Sequence, residues 1–319
     1  MIKGKRSNEN LHKAKAAKND EFYTRLEDIE KELEHYAEHF KGKVVYCNCD
    51  DANRSNFFKY FSTNFQKLGL KKLITSGLKI DGTDGTEDGT DGTDGTGVVA
   101  IQKGNDIDIY DGNGDFRSEE CIEFLKEADI VVTNPPFSLF REYVAQLMQY
   151  GKKFLIIGSM NAITYKEIFP YIKNNELWLG TTNPNEHFLP NGEITKSVAG
   201  LCRWYTNLEH NKRNEELILY KHYNPSEYPK YDNYDAIEVS KVAEIPMDYE
   251  GVMGVPISFL DKYCPNQFRI LGLAADKRDE CEFFIKGIPT YLDEKHKSFV
   301  GMVLNHKATY ARLLIQKII

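Results

Sequence analysis

Short apolar runs alternate with amphipathic helical patterns through residues 19–222 of this 319-residue chain. Residues 43–49, 71–75 and 153–157 are predicted strands, because they are apolar and rich in β-branched or aromatic side chains. Helical spacing of apolar residues follows Leu26, Phe57 and Ser118. Repeated β-α-β units of this kind favour an α/β fold with a doubly wound, mainly parallel sheet. Ligands of such sheets bind at the carboxyl ends of the strands.

The segment DIVVTNPPFSLF (129–140) places two prolines directly after another apolar run. Pro135 and Pro136 lack backbone N–H groups and disfavour the α conformation at Asn134, so the chain should leave the sheet extended. The side-chain carbonyl of Asn134 and the backbone carbonyl of Pro135 can then both point into the cleft. Two rigid acceptors suit a planar amine such as that of adenine, and Phe137 offers a ring for stacking. A simple turn after a strand is the alternative interpretation.

The net charge of -7 is unevenly distributed. Residues 81–97 (DGTDGTEDGTDGTDGTG) hold six acids and no basic residue, and without them the net charge is -1. This tract has no apolar side chain to bury, so we predict a flexible surface insert. A calcium loop is the alternative, but the acids fall mainly at every third residue. Residues 1–18 form a basic arm, suited to phosphate contact or to a solvated tail, with Lys3, Lys5, Arg6, Lys13, Lys15 and Lys18.

Other classes of protein are disfavoured by the composition. The apolar windows are much shorter than the ~20 residues of a membrane span, and no apolar core follows the basic N-terminus. We therefore expect a cytoplasmic protein. The six cysteines are scattered and form no C-x-x-C pair, so neither a disulfide framework nor a zinc site is predicted.

Several segments together resemble the EcoRI-type adenine-specific DNA methyltransferases, which depend on S-adenosylmethionine. They are NDEFYTRLEDIEKEL, VVYCNCDD with SNFFKYF, DIVVTNPPFSLF, KKFLIIGSMNAITYKEIFP and YDNYDAIEVSKV. The resemblance implies a Rossmann-like methyltransferase domain over residues 19–222, followed by a target-recognition region at 223–319. It also implies methyl transfer to the exocyclic N6 amine of an adenine flipped out of double-stranded DNA. Such an enzyme would serve a restriction-modification system or phage modification.

The resemblance further implies cofactor-binding residues. Aromatic and hydroxyl groups near the start would cover the methionine end of the cofactor, a carboxylate after the first strand would bind its ammonium, and an acidic and aromatic pair would bind its adenine. In that order these residues are Phe22, Tyr23 and Thr24, then Asp50, then Asp115 with Phe116. The sequence departs from the common pattern because CNCDD lacks a G-x-G loop, and no acid after LITSG is assigned to the ribose. A capping box of Thr24 with Glu27, and a turn shaped by Asp115, are the structural alternatives.

The remaining expectations concern the nucleic acid. Phe188, in the loop 181–200, is a candidate for covering the second face of the flipped base, and packing beneath that loop is the alternative. Residues 223–319 lack the strand and helix alternation and carry basic groups that could contact phosphates or base edges. These are Arg269, Lys277, Arg278, Lys295, Lys297, Lys307 and Arg312.

Two other functions stay open from the sequence. NPPF loops also serve enzymes that methylate an RNA base or a protein glutamine, because each substrate presents an sp² nitrogen. The missing glycine loop suggests a non-catalytic DNA-binding relative instead. For the enzyme we expect a monomer that needs no metal and acts on double-stranded DNA.

Overall fold

The computed structural model describes residues 23–78, 97–184, 187–188, 194–195, 201–274 and 301–318. The basic arm, Phe22, residues 81–96 of the acidic insert and several predicted DNA contacts lie outside this part, namely Lys277, Arg278, Lys295 and Lys297. The chain forms two compact units, one of residues up to Met160 with Gly180–Leu208 and one of Asn161–Leu179 with the chain from Glu209 onward. We expected a single boundary after residue 222, whereas the second unit takes in an earlier segment as well.

The strands are β1 (Tyr23–Thr24), β2 (Val44–Asn48), β3 (Lys72–Leu78), β4 (Gly97–Lys103), β5 (Asp106–Gly112), β6 (Ile130–Thr133), β7 (Lys153–Ser159), β8 (Trp178–Leu179), β9 (His187–Phe188), β10 (Ile194–Thr195), β11 (Cys202–Thr206), β12 (Ile237–Glu238), β13 (Met253–Pro256), β14 (Phe268–Ala274), β15 (Val303–Leu304), β16 (Lys307–Ala308) and β17 (Arg312–Lys317). The α-helices are α1 (Leu26–Leu33), α2 (Asn56–Thr63), α3 (Phe65–Leu68), α4 (Glu119–Glu127), α5 (Phe140–Gln149) and α6 (Phe169–Lys173). Short 3-10 segments follow α1 at Glu34–Phe40 and precede α5 at Phe137–Leu139.

The main sheet of the first unit has the strand order β5-β4-β3-β2-β6-β7-β11. Its four central strands, β3, β2, β6 and β7, are parallel as predicted. Strand β4 joins β3 antiparallel, β5 joins β4 antiparallel, and β11 joins β7 antiparallel, so both flanks depart from the β-α-β pattern. Because parallel strands end at the same edge, the carboxyl ends of β3, β2 and β6 lie side by side.

Helix α1 has the predicted apolar face but not the predicted N-cap. Ile29, Leu33, Tyr36 and Phe40 are completely buried along α1 and the 3-10 segment after it. The N-cap of α1 is Arg25, and no side chain caps the helix. The predicted capping box of Thr24 and Glu27 is therefore wrong. Thr24 lies in β1, where pairing with β9 replaces the capping conformation.

The aromatic helix after β2 is interrupted. Helix α2 is capped by Ser55, whose Oγ accepts hydrogen bonds from the backbone N–H groups of Phe57 and Phe58. Asn64 separates α2 from α3, and α3 ends at Gly69 with a positive φ of 63°, which favours glycine. The phenylalanines of these helices pack into the core beneath the sheet.

The second unit contains a small sheet with the order β12-β13-β17-β14 and a separate hairpin of β15 and β16. Arg312, which we predicted as a DNA contact, instead donates from Nη2 to Glu238 Oε1 at 2.8 Å. Glu238 is buried in this sheet, so the Arg312 guanidinium is engaged in an ion pair within the fold. Lys307 is exposed on the hairpin. Within the described residues, no helix is both long and apolar enough to cross a bilayer.

Candidate active site

Asp50 lies just beyond β2, and both oxygens of its carboxylate are held. Ser55 Oγ donates to Oδ1 at 2.7 Å and Thr133 Oγ1 donates to Oδ2 at 2.5 Å. The Asp50 backbone N–H donates to the Ser76 carbonyl at 2.8 Å, and Thr75 Oγ1 donates to the Asp50 carbonyl at 2.8 Å. These partners come from β3, β6 and the cap of α2. The carboxylate is therefore fixed at the edge where the central strands end, and the residue is only 9% exposed.

The Asn134 motif begins immediately after one of these partners. Thr133 is the last residue of β6, and its hydroxyl, which has one proton for two acceptors, also contacts the carbonyl of Asn48 at the end of β2. Oδ1 of Asn134 is shielded from solvent, and Pro135 is buried. Phe137 packs partly against the core and stays partly exposed. The structure thus places Asn134 through Phe137 at the predicted edge of the sheet, next to Asp50.

Two buried polar atoms at this edge have no hydrogen-bond partner among the described residues. They are Oγ1 of Thr24, a residue 3% exposed, and Nδ2 of Asn48, a residue 0% exposed. Thr24 is tied to the Asp50 region because Asn56 Nδ2 donates to its carbonyl at 2.8 Å, and Asn56 directly follows Ser55. A buried polar group without a partner costs stability, so such groups are characteristic of a site that receives a polar ligand.

Two glycines bring the loop after β5 beside Asp50. A Cβ atom on Gly77 would lie 2.6 Å from the carbonyl carbon of Asp50, and one on Gly114 would lie 2.6 Å from the carbonyl carbon of Gly77. Gly114 also has a φ of 74°, which favours glycine. Only residues without a side chain allow this approach. Asp50 and Asp115 are therefore carried by adjoining loops of the same sheet edge.

Asp115 is occupied by a neighbour. Arg117 donates from Nε to Oδ1 at 3.0 Å and from Nη2 to Oδ2 at 2.7 Å. The hydrogen bond from Arg117 lowers the pKa of Asp115, so the carboxylate remains an acceptor at neutral pH. Phe116 is buried, with its ring edge-to-face on Tyr143 at 5.1 Å between centroids. The geometry thus includes the turn that we weighed as the alternative, and adenine binding by Asp115 and Phe116 stays a prediction.

The N-terminal segment meets the loop that carries Phe188. Tyr23 pairs with Phe188 and Thr24 pairs with His187 in an antiparallel ladder of β1 and β9. Strand β10 continues this small sheet by pairing Ile194 with Phe188. We predicted cofactor and base contacts for these two segments separately, and the backbone pairing joins them. The role of the Phe188 ring stays a prediction, and Phe22 lies outside the described residues.

Sequence reasoning missed the residues that hold this site together. Ser55 could have been recognised as an N-cap before an aromatic helix, but not as a donor to Asp50. Thr133 and Asn48 are inconspicuous ends of apolar strands. Nothing local indicates that the Thr133 side chain meets the Asn48 backbone between β6 and β2.

The chain is similar to known proteins of one family along nearly its whole length. Residues 10–318 match the family described as "Adenine-specific methyltransferase EcoRI". The chain is 46% identical to Type II methyltransferase M.EcoRI of Escherichia coli, over 97% of each chain. It is 39% identical to M.MgeORF184P of Mycoplasma genitalium, over 96% of this chain and 98% of the relative. It is 40% identical to M.MpnI of Mycoplasma pneumoniae, over 83% and 86%.

No solved structure matches the chain. The family match spans both units and confirms the resemblance carried by the five sequence segments. It favours DNA adenine over an RNA base or a protein glutamine as the methylated group. The chain belongs to the EcoRI family of adenine-specific DNA methyltransferases.

Proposed function

We propose that this adenine-specific DNA methyltransferase uses S-adenosylmethionine to methylate the exocyclic N6 amine of an adenine rotated out of duplex DNA. One observation supports this most strongly: Thr133, the residue directly before Asn134, is hydrogen-bonded to Asp50 at the carboxyl edge of the central strands. The group proposed to bind the amine and the group proposed to bind the cofactor's ammonium would then lie at one edge, where ligands of such sheets bind. Modification at a specific site, as in restriction-modification, is part of the proposal.

The residues at this edge fit S-adenosylmethionine. The Asp50 carboxylate suits the ammonium of the methionine end. Nδ2 of Asn48 is a buried donor and Oγ1 of Thr24 a buried hydroxyl, both without partners among the described residues, and both suit the methionine carboxylate. Asp115, on the adjoining loop, suits the amine of the cofactor's adenine. When bound, the cofactor supplies a methyl group activated by its sulfonium.

The Asn134 motif would orient the target base. Oδ1 of Asn134 and the carbonyl of Pro135 would each accept one hydrogen of the amine, which aims the nitrogen lone pair at the methyl donor. Both acceptors also stabilise positive charge that develops on the nitrogen. Pro135 and Pro136 keep them rigid, so little reorganisation is needed during the reaction. Phe137 would stack on one face of the base and Phe188 on the other.

The target adenine cannot react while it is stacked and paired, because its amine is engaged within the duplex. Rotating it out costs a few kcal/mol, and contacts to phosphates and neighbouring bases must supply this energy. We assign this task mainly to the second unit. Among the predicted contacts that the structure describes, Arg269 and Lys307 are exposed.

The proposal is tested by incubating the protein with S-adenosylmethionine carrying a labelled methyl group and with duplex DNA, RNA or protein. We expect label in DNA, released on digestion as N6-methyl-2′-deoxyadenosine. Label in RNA or protein alone, or binding of cofactor without transfer to any substrate, would contradict it. Sequencing the methylated adenines in DNA from cells that express the chain would then identify the recognition sequence.

A further inference from the structure

A buried carboxylate outside the cofactor edge has an unusually complete set of donors. Glu32, in α1, is 0% exposed. Its Oε1 accepts from the Thr181 backbone N–H at 2.7 Å and from the Tyr36 hydroxyl at 2.9 Å. Its Oε2 accepts from the Thr182 backbone N–H at 2.6 Å and from Thr182 Oγ1 at 2.7 Å. Three of these four bonds come from residues 181 and 182, two of them from the backbone.

The chain around Thr181 is shaped to admit this carboxylate. A Cβ atom on Gly180 would collide with Oε1 of Glu32 and would lie 2.6 Å from Cβ of Trp204. The Gly180 N–H also donates to the Trp204 carbonyl at 2.9 Å. Residue 180 must therefore lack a side chain for the strand β11, Glu32 and Thr181 to meet. Placement of a charge this deep is costly unless its hydrogen bonds are satisfied.

The stretch that Glu32 holds leads directly into the strand that pairs with the N-terminal segment. Thr181 and Thr182 precede β9, and β9 pairs with β1 at Tyr23 and Thr24. Helix α1, which carries Glu32, begins two residues after β1. Thr181 and Thr182 are thus attached to α1, and His187 and Phe188 to β1, which directly precedes it. Two attachments fix both the position and the direction of these residues, whereas one ladder of two residues would not.

We propose that Glu32 is a positioning residue for methyl transfer, which couples the binding of the cofactor to the binding of the target base. This rests on the proposed roles of Tyr23 and Thr24 toward the cofactor and of Phe188 toward the base. Glu32 touches neither ligand. It holds the segment of Tyr23 and Thr24 and the segment of Phe188 in a fixed relative position. Ordering of one segment by its ligand therefore also orders the other. Cofactor binding then tightens DNA binding, and DNA tightens cofactor binding by the same factor.

Three variants separate this role from simple stabilisation. Glu32→Gln turns a donor toward a backbone N–H at Thr181 or Thr182, and Thr182→Val removes only the hydroxyl contact. Tyr36→Phe is the control, because it removes one bond to the same carboxylate and a side-chain interaction with Thr181, but leaves all three bonds from residues 181 and 182 to Glu32 in place. Melting temperature, kcat and KM for DNA methylation, and the DNA Kd with and without S-adenosylhomocysteine, are measured for each.

We expect Glu32→Gln to lower kcat/KM by about ten- to a hundredfold, as for loss of hydrogen bonds to a charged group, and to abolish the effect of S-adenosylhomocysteine on the DNA Kd. Thr182→Val should lose part of both. Tyr36→Phe should keep the coupling and stay within about twofold of the wild-type kcat/KM, even if its melting temperature falls.

The inference is overturned if Glu32→Gln keeps the wild-type coupling, or if activity follows melting temperature equally in all three variants. If Glu32→Gln does not fold, the test is the comparison of Thr182→Val with Tyr36→Phe. Identical coupling and activity in these two variants would also overturn the inference. Wild-type protein that methylates no DNA would refute the proposed function instead, whereas the Kd measurements require no catalysis and test the coupling separately.

Discussion

The hydroxyl of Thr133 donates a 2.5 Å hydrogen bond to Oδ2 of Asp50, across 83 residues of sequence. Thr133 is the residue before Asn134, so this bond connects the motif proposed to hold the target amine with the carboxylate proposed to hold the cofactor. Because Ser55 fixes the other carboxylate oxygen, Asp50 cannot rotate independently. The distance between the two proposed binding groups is thereby set by the sheet.

Thr133→Val tests this connection. Loss of the hydroxyl leaves Oδ2 of Asp50 without one donor, so we expect about tenfold weaker cofactor binding and a stability loss of about 1–3 kcal/mol. The matched control is Thr206→Val, because the buried Thr206 hydroxyl donates to the Phe154 carbonyl at 2.7 Å, away from Asp50. Calorimetric titration with cofactor and urea unfolding check both variants. Equal weakening of cofactor binding in the two would show that stability alone is responsible.

Thr24→Val distinguishes a structural role of the Thr24 hydroxyl from a role in cofactor binding. Oγ1 of Thr24 is buried and has no hydrogen-bond partner among the described residues, so its removal should leave the free energy of unfolding unchanged or slightly increased. Cofactor affinity should fall several-fold, about 1 kcal/mol, if the hydroxyl binds the methionine end. Titration with S-adenosylmethionine and urea unfolding give the two quantities. A destabilised variant with normal affinity would favour a structural role.

Asn134→Ala should remove catalysis while preserving binding. Loss of one acceptor for the amine affects the transition state most, so we expect kcat to fall about a hundredfold or more. Affinities for DNA and cofactor should stay close to wild type, since most of their contacts lie elsewhere. Asn211→Ala, at an exposed asparagine of the second unit, is the control and should behave as wild type. Full activity of Asn134→Ala would exclude the proposed role.

His210 predicts a loss of stability in mild acid. Burial lowers the pKa of His210 to about 4, although its hydrogen bond to the Leu179 carbonyl acts in the opposite direction. The unfolded chain takes up this proton near pH 6.5 and the folded chain does not, so stability is present above about pH 6.5 and falls as the pH approaches 4. We expect about 1–2 kcal/mol less stability at pH 5 than at pH 7 from this group.

Urea unfolding at the two pH values measures this difference. His210→Gln should reduce the difference, because glutamine does not titrate and can still donate to the Leu179 carbonyl. An unchanged pH dependence in that variant would assign the acid sensitivity to other groups.

The sequence by itself determined the central strands and the position of Asn134. Apolar β-branched runs predict buried strands, and prolines end them, because these are local properties of the chain. The order of motifs along the chain was also enough to indicate the family. We did not predict β5, although DIDIYD alternates acidic and apolar residues with the period of a strand. The local pattern was wrong at Thr24, where pairing with β9 replaces the predicted cap.

Only the tertiary structure decided how the site is assembled. Three contacts at the site join residues that are far apart in sequence. They are the hydrogen bond from Thr133 to Asp50, the close approach of Gly77 and Gly114, and the hydrogen bond from the Thr182 N–H to Glu32. The inclusion of Asn161–Leu179 in the second unit is of the same kind. Sequence periodicity indicates which face of a helix or strand is apolar, but not which distant side chain packs against that face. These tertiary contacts depend on strand order and register, which are fixed when the whole sheet forms.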